Sequence, residues 1–547
     1  MAVGVKYISP STMDEITFSI SESRLEMSEK NKNPVKTISL VIVLTLVGKL
    51  LGLLRDRLMT THYGSGMETN AFMTASLIPR VFFDAVFASA IAASFIPVFS
   101  ELAAKKGRRD ALLFSGNFIT VIGLFSLLLS LIGIVFAGPL VTLFADGYDT
   151  QTAALCVSLT RIMFPTVLFT GIAYSFVGIL QSFDEFNIPA LISVIANFIV
   201  IAYYYTFNEK YGIFGLAFAF LIGWFVQAAM QVPSLVRKGF SYKPSFKMNS
   251  PGMKKVFALM LPVMVSTWVQ PINLTINTKF GSHLLNGFGV TAINLSNNLY
   301  LIIIGVFILS VTNVIFPRLS RLTAENETDR FKSTISRTVH ASMYFVIPMT
   351  AGLMVLARPV VGLIYGGGEF DETAVSVTSQ ALTFISLGMI GYALQAVLCR
   401  AYFARQNGRT PLIAGIASIA VNIALCFLLT GPLGIAGLAV ASAAAATVNA
   451  IVLIVPLQAY KEGFLSKAFS VDLLKMTASA LVMAAVVWVL MHALEGLHPG
   501  MLWTAVTAAV PAAAGFIIYI AVTALLRLEE PKTAAVILKK RLIKSKN

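Results

Sequence analysis

Long apolar runs broken by short polar stretches recur along the chain from about residue 36 to residue 527. A helix needs about 20 mostly apolar residues to cross a bilayer. Segments near 36–61, 70–100, 111–137, 152–181, 187–207, 212–236, 253–281, 287–317, 334–357, 372–403, 411–430, 434–458, 470–492 and 500–527 meet that need. The pattern predicts an all-α polytopic membrane protein with 14 transmembrane helices; a barrel would show alternating strands of about ten residues instead. Pro79, Pro165, Pro271 and Pro348 fall inside these runs. Each frees a carbonyl that lipid cannot satisfy, so such helices pack on neighbours or line a wet cavity.

The polar interruptions predict orientation. If the N-terminus is cytoplasmic, the inward loops carry Lys105, Lys106, Arg108 and Arg109, the basic run from Arg237 to Lys255, Arg318 to Arg337, Arg400 to Arg409, and Lys461 and Lys467. The outward loops carry only Lys210 and Arg358. Cytoplasmic loops are enriched in Lys and Arg, so both termini are expected in the cytoplasm. The basic end from Ile537 to Lys546 suits either an anionic membrane surface or a solvated topogenic tail.

The chain also repeats itself. Pro97 to Ser100 matches Pro317 to Ser320, and Ala137, Pro139, Val141 and Leu143 match Ala357, Pro359, Val361 and Leu363. Pro189 matches Pro411, and Gly212 to Ala219 matches Gly434 to Ala441. The offset spans six helices, an even number, so both copies keep one orientation, as in parallel transporter repeats. The expected organisation is a polar tail (1–33), an N-lobe of helices 1–6 (34–236), a basic linker (237–252), a C-lobe of helices 7–12 (253–460), two further helices (461–530) and a basic tail (531–547). Two lobes facing one cavity suit alternating access, which favours a transporter over a receptor, an anchor or an intramembrane enzyme.

Composition narrows the choice. The chain has 547 residues, 57% hydrophobic and 12% charged, with mean hydropathy +0.80. A net charge of +15 does not imply nucleic acid, because the basic residues sit in loops between apolar spans. Cys156, Cys399 and Cys426 lie in apolar segments without metal-like spacing. No cleavable signal is evident, and there is no P-loop sequence. Gly366 to Phe370 reads as a turn. No cofactor or metal is expected.

Charges at membrane depth are costly and are functional candidates. Here they are Lys49, Arg55, Asp56, Arg57, Arg80, Asp84, Arg161 and Lys279, six cations and two acids. Arg80 and Asp84, four apart, share a helix face and are placed to pair. Arg57 and Lys279, nearer helix ends, also suit snorkelling to the interface. From 251 to 324 there is no Asp or Glu at all. A cation exporter needs acids in its cavity; a surplus of Arg and Lys suits an anionic, phosphate-bearing cargo. Ser418 and Asn422 are read as helix–helix hydrogen-bonding groups in preference to sodium ligands.

Several stretches resemble the MurJ/MviN family, in the multidrug/oligosaccharidyl-lipid/polysaccharide exporter superfamily. They are Gly48-Lys-Leu-Leu-Gly52-Leu-Leu-Arg55-Asp56, Tyr63-Gly-Ser-Gly66 with Ala71-Phe72, and Ile78-Pro79 leading to Ser94-Phe-Ile-Pro97-Val-Phe-Ser-Glu101. The resemblance implies a bacterial plasma-membrane flippase that moves lipid II, the undecaprenyl-pyrophosphate-linked peptidoglycan precursor, to the outer leaflet without bond chemistry. It implies lipid II and membrane lipids as partners, and cell-wall synthesis proteins as possible ones. It matches Arg55 to a cavity arginine and Lys49 to another cationic position. The family acid after the first outward loop is Asn70 here, the helix 2 arginine falls at Phe83, and the helix 8 arginine and its nearby acid fall at Asn298 and Leu301. Lys49, Arg55, Arg80, Asp84 and Asn298 are therefore the expected substrate-binding residues, with Arg80 standing in for the cation absent at Phe83. The alternatives are another polyprenyl-linked polysaccharide or drug exporter of the same superfamily, or a non-transporting scaffold of cell-wall synthesis.

Overall fold

A computed structural model describes residues 34–459, 465, 467–495 and 500–531, and the side chains among these except at 34–38, 82–90, 92–93, 261–263, 265–267, 306–310, 312–314 and 467. The expectations for the 1–33 tail, for Lys461, for the side chains of Phe83 and Asp84, and for the basic end from Ile537 to Lys546 lie outside the described residues.

The regular elements of the described chain are helices. In order come α1 (Pro34–Tyr63), α2 (Met67–Lys106), α3 (Arg108–Val135), α4 (Ala137–Phe144), α5 (Thr150–Met163), α6 (Thr166–Ser182), α7 (Asn187–Thr206), α8 (Asn208–Ala229) and α9 (Val232–Arg237). The second half holds α10 (Pro251–Thr267), α11 (Val269–Ser282), α12 (Phe288–Ala324), α13 (Thr328–Val355), α14 (Ala357–Tyr365), α15 (Glu372–Ser386), α16 (Gly388–Ala404) and α17 (Arg409–Ala459). Two more helices follow, α18 (Lys467–Leu494) and α19 (Met501–Leu525).

By length and composition, nine helical stretches of the described residues are able to cross a membrane, or ten if α15 and α16, bent by 45°, form one span. Each of the fourteen apolar segments falls on a helix, a broken pair or one half of α17, which is consistent with fourteen crossings. The breaks have local causes. Between α5 and α6 stands Pro165, and Pro271 cannot donate to the carbonyl of Thr267, where α10 gives way to α11. Gly434 breaks α17 in two.

The internal repeat is written in the backbone. Gly212 (φ 51°, ψ −146°) and Gly434 (φ 56°, ψ −129°) occupy the same left-handed corner at corresponding places. Such a φ suits glycine, which has no Cβ to clash. The short helices α4 and α14 correspond, and Asp149 and Asp371 cap the following helices by accepting from backbone N–H groups.

Two hydrophobic clusters form. One runs from Leu58 to Val256 and the other from Phe288 to Leu528. The first takes in Met253 and Val256 of α10, which packs on α2, whereas α11 packs on α12 and α17. Lys105 and Lys255 both hydrogen-bond Glu101 and pull its carboxyl down to about 2, tying α10 to α2 at the lysine-rich face. The final pair leans on the second cluster: α18 packs on α13, and the Tyr519 hydroxyl donates to the Tyr344 carbonyl at 2.9 Å.

Candidate functional site: a polar cavity between two cores

A cavity of about 480 Å³ lies between the two clusters, lined by α1, α2, α6, α7 and α8 on one side and α11, α12, α16 and α17 on the other. Arg55, Asp56, Arg80 and Asn298 line it together.

Arg55 donates to Asp56 Oδ1 through Nε at 3.0 Å and Nη2 at 2.7 Å, and through Nη1 to Asn197 Oδ1 at 3.1 Å. Asn197 in turn donates to the carbonyls of Gly48 and Ser193. Its amide thus fixes α7 to α1 and aims the guanidinium at the cavity. The other oxygen of Asp56 accepts from Asn298 at 3.2 Å. Asp56 is only 6% exposed. It is a buried acid with a guanidinium and a carboxamide as partners, and it links α1 of the first core to α12 of the second.

Arg80 is exposed at the cavity wall. Lys49 is not part of this lining: it is half-buried, and its Nζ would lie 3.2 Å from a Cβ placed on Gly305 of α12. The site residues expected from sequence therefore divide. Arg55, Arg80 and Asn298 come together, Lys49 sits at the α1–α12 seam, and the side chain of Asp84 lies outside the described residues.

The two cations nearer helix ends make protein contacts. Arg57 donates to the carbonyls of Leu363, Ile364 (3.5 Å) and Gly366 (3.3 Å) at the end of α14. Lys279 donates to Asp146 at 2.8 Å, and the His283 ring meets the same carboxylate at 2.9 Å. Partial burial works against charge on Asp146, but the hydrogen bonds from Lys279 and His283 prevail and hold its carboxyl below the usual value.

These contacts belong to a seam that closes the cavity on the face opposite the basic loops. There the Thr60 hydroxyl donates to the Tyr365 carbonyl at 3.1 Å, and the Glu369 N–H to the Thr61 carbonyl at 3.0 Å. Thr291 donates to Asn70 Oδ1 at 2.6 Å, and the Gly147 N–H to Ser282 Oγ at 3.1 Å. Asn70, where the resemblance implies an acid, is a neutral part of this seam. Ser418 donates to the Ala445 carbonyl and Asn422 to Asn277 Oδ1, both helix–helix bonds.

Sequence reasoning missed Asn197 and the cavity's carboxamides other than Asn298. The available signal was amides at helical spacing inside apolar runs, as at Gln270 and Asn273 or at Asn294 and Asn297. Among the described residues no cluster of three or more His, Cys, Asp or Glu is placed to hold a metal.

Two repeated helical bundles enclosing a polar, arginine-bearing cavity in an otherwise apolar molecule define a polytopic membrane transporter. The family model described as "Lipid II flippase MurJ" matches residues 59–506. The chain belongs to that family, whose members are transporters and not enzymes. A curated relative from Treponema pallidum, "Probable lipid II flippase MurJ", is 30% identical over 430 residues, covering 77% of this chain and 81% of the relative. One of the same description from Vibrio cholerae is 29% identical over 437 residues, covering 77% and 82%. A solved structure titled "Lipid II flippase MurJ, inward closed conformation" shares the fold with a TM-score of 0.75 at 23% identity, covering 89% of this chain and 98% of that one. An inward-facing multidrug MATE transporter of the MOP superfamily aligns more loosely, with a TM-score of 0.62 at 16% identity.

Proposed function

We propose that this protein carries lipid II from the inner to the outer leaflet of the bacterial plasma membrane by alternating access, with both termini cytoplasmic. The observation that carries the reading is the cavity between the two cores, in a chain of this family, with Arg55 and Arg80 on its first-core wall. A pyrophosphate is a fit for guanidinium groups, which donate two aligned hydrogen bonds to phosphate oxygens. The polyprenyl tail stays in lipid while the head crosses between the lobes. Lys49, at the α1–α12 seam, adds positive charge along the path. A cationic drug is a poor fit, because Asp56, the one acid lining the cavity among the described residues, is already engaged by Arg55 and Asn298.

The test is leaflet accessibility of lipid II. Cells depleted of this protein should lose cleavage or labelling of lipid II by an impermeant outer-leaflet reagent, and re-expression should restore it. Unchanged accessibility on depletion would leave only a scaffold role.

A further inference from the structure

The two walls of the cavity differ in kind. The first-core wall carries Arg55 and Arg80. The second-core wall carries carboxamides: Gln270 and Asn273 on α11, Asn294 and Asn297 on α12, Gln395 on α16 and Asn449 on α17. Residues three apart on a helix share a face, so the two pairs on α11 and α12 present their amides as rows. Among the described residues, no acid or base stands on the second-core lining.

These amides differ from the ones that hold helices together. Asn277 is saturated by Ser442 and Asn422. By contrast, Gln270, Asn297 and Gln395 form no side-chain hydrogen bond among the described residues. The Oδ1 atoms of Asn273 and Asn449 are buried without a partner among the described residues, and Asn449 is only 2% exposed. Buried polar groups are normally hydrogen-bonded, and burying one without a partner is costly. Two such buried acceptors, with Gln270, Asn297 and Gln395 also on this wall, face the cavity and are arranged for what enters it. Each carboxamide both donates and accepts, so together they match uncharged groups that do the same, namely hydroxyls and amides. They offer a phosphate no charge.

We propose that this carboxamide wall is the subsite for the uncharged hydroxyl and amide groups of the glycopeptide head, opposite the arginine wall that takes the pyrophosphate. The proposal rests on the functional reading above and assigns the head's polar groups to one lobe.

The test uses the full chain in lipid nanodiscs and three probes: undecaprenyl pyrophosphate, the same carrier bearing sugar without peptide, and lipid II. The variant is Asn297→Leu with Gln395→Met. Neither side chain has a hydrogen bond to lose among the described residues, so near-isosteric apolar replacements remove chiefly contacts to a ligand. At about fivefold per hydrogen bond, lipid II affinity should fall about ten- to thirtyfold, while the bare carrier stays within about twofold. Loss on the sugar-only probe places the contacts on the glycan, and loss on lipid II alone places them on the peptide; both support the subsite. Lipid II affinity within about twofold of wild type overturns it, as does an equal loss for the bare carrier. A wild-type protein that binds no lipid II overturns the functional reading and this subsite with it, whereas a wild-type preference for lipid II that survives in the variant overturns the subsite alone.

Discussion

At Asp56 a single carboxylate accepts from Arg55 on one oxygen and from Asn298 on the other. Replacing Arg55 with alanine therefore does two things: it removes a cation from the cavity and strips a buried acid of its counter-charge. The second effect costs about 3–5 kcal/mol in comparable buried pairs. Arg55→Ala should lower the amount of protein in the membrane as well as abolish complementation of a flippase-depleted strain. Adding Asp56→Asn removes the orphaned charge, so the double variant should recover normal levels on an immunoblot and still fail to support growth. Wild-type growth of the double variant would show that the cation is dispensable. The charges themselves were legible in the sequence because an Arg or Asp in an apolar run stands out. Their partners were not, since Arg55 meets Asn197 from 142 positions away and Asp56 meets Asn298 from 242. An amide in an apolar run is a weaker signal, and so the carboxamide wall went unseen.

Among the helices, the sequence marked every apolar segment, because hydrophobic length acts locally, but it did not say which prolines break a helix: Pro79 and Pro348 lie inside continuous ones. The breaks at Pro165 and Pro271 follow from a missing N–H. The corners at Gly212 and Gly434 could be matched as a repeat, but their left-handed geometry required the structure. Orientation rests on loop charge, and labelling tests it directly. Single cysteines at Gly66 and Leu285, both exposed, should react with an impermeant thiol reagent in intact cells carrying a cysteine-free background. Cysteines at Lys106 and Gly408, exposed on the basic face, should react only after permeabilisation. Labelling of the second pair in intact cells would invert the topology.

Over the whole molecule, the cavity between two cores is closed at one end by a seam, and an acid of that seam is Asp146, held by Lys279 and His283. Because its carboxyl is held below the usual value, Asp146 contributes to closure above the ordinary carboxylate range. That contribution is lost only as pH falls through the lowered value. Closure should therefore be indifferent to pH between about 5 and neutrality so far as Asp146 is concerned. Asp146→Asn should loosen it at neutral pH, read as faster thiol labelling of a cysteine at the cavity residue Met73 from the face opposite the basic loops. An unchanged rate would assign closure to the other seam contacts. The repeat divides the sequence into two halves. It did not reveal that α10, counted with the second half, packs on α2, because no periodicity in a chain records which neighbour a crossing helix leans on.

Arg57 closes its part of that seam against main-chain carbonyls at the end of α14 and touches the Met501 sulfur, with no acidic side chain as acceptor among the described residues. The receiving surface is thus specified by the path of the backbone and by almost nothing in the identities of Leu363 or Ile364. Those positions are free to drift among helix-compatible apolar residues while the contact persists. Among related sequences, Arg57 would then show no covarying partner on α14, and a contact map inferred from correlated substitutions would leave this junction between the lobes blank.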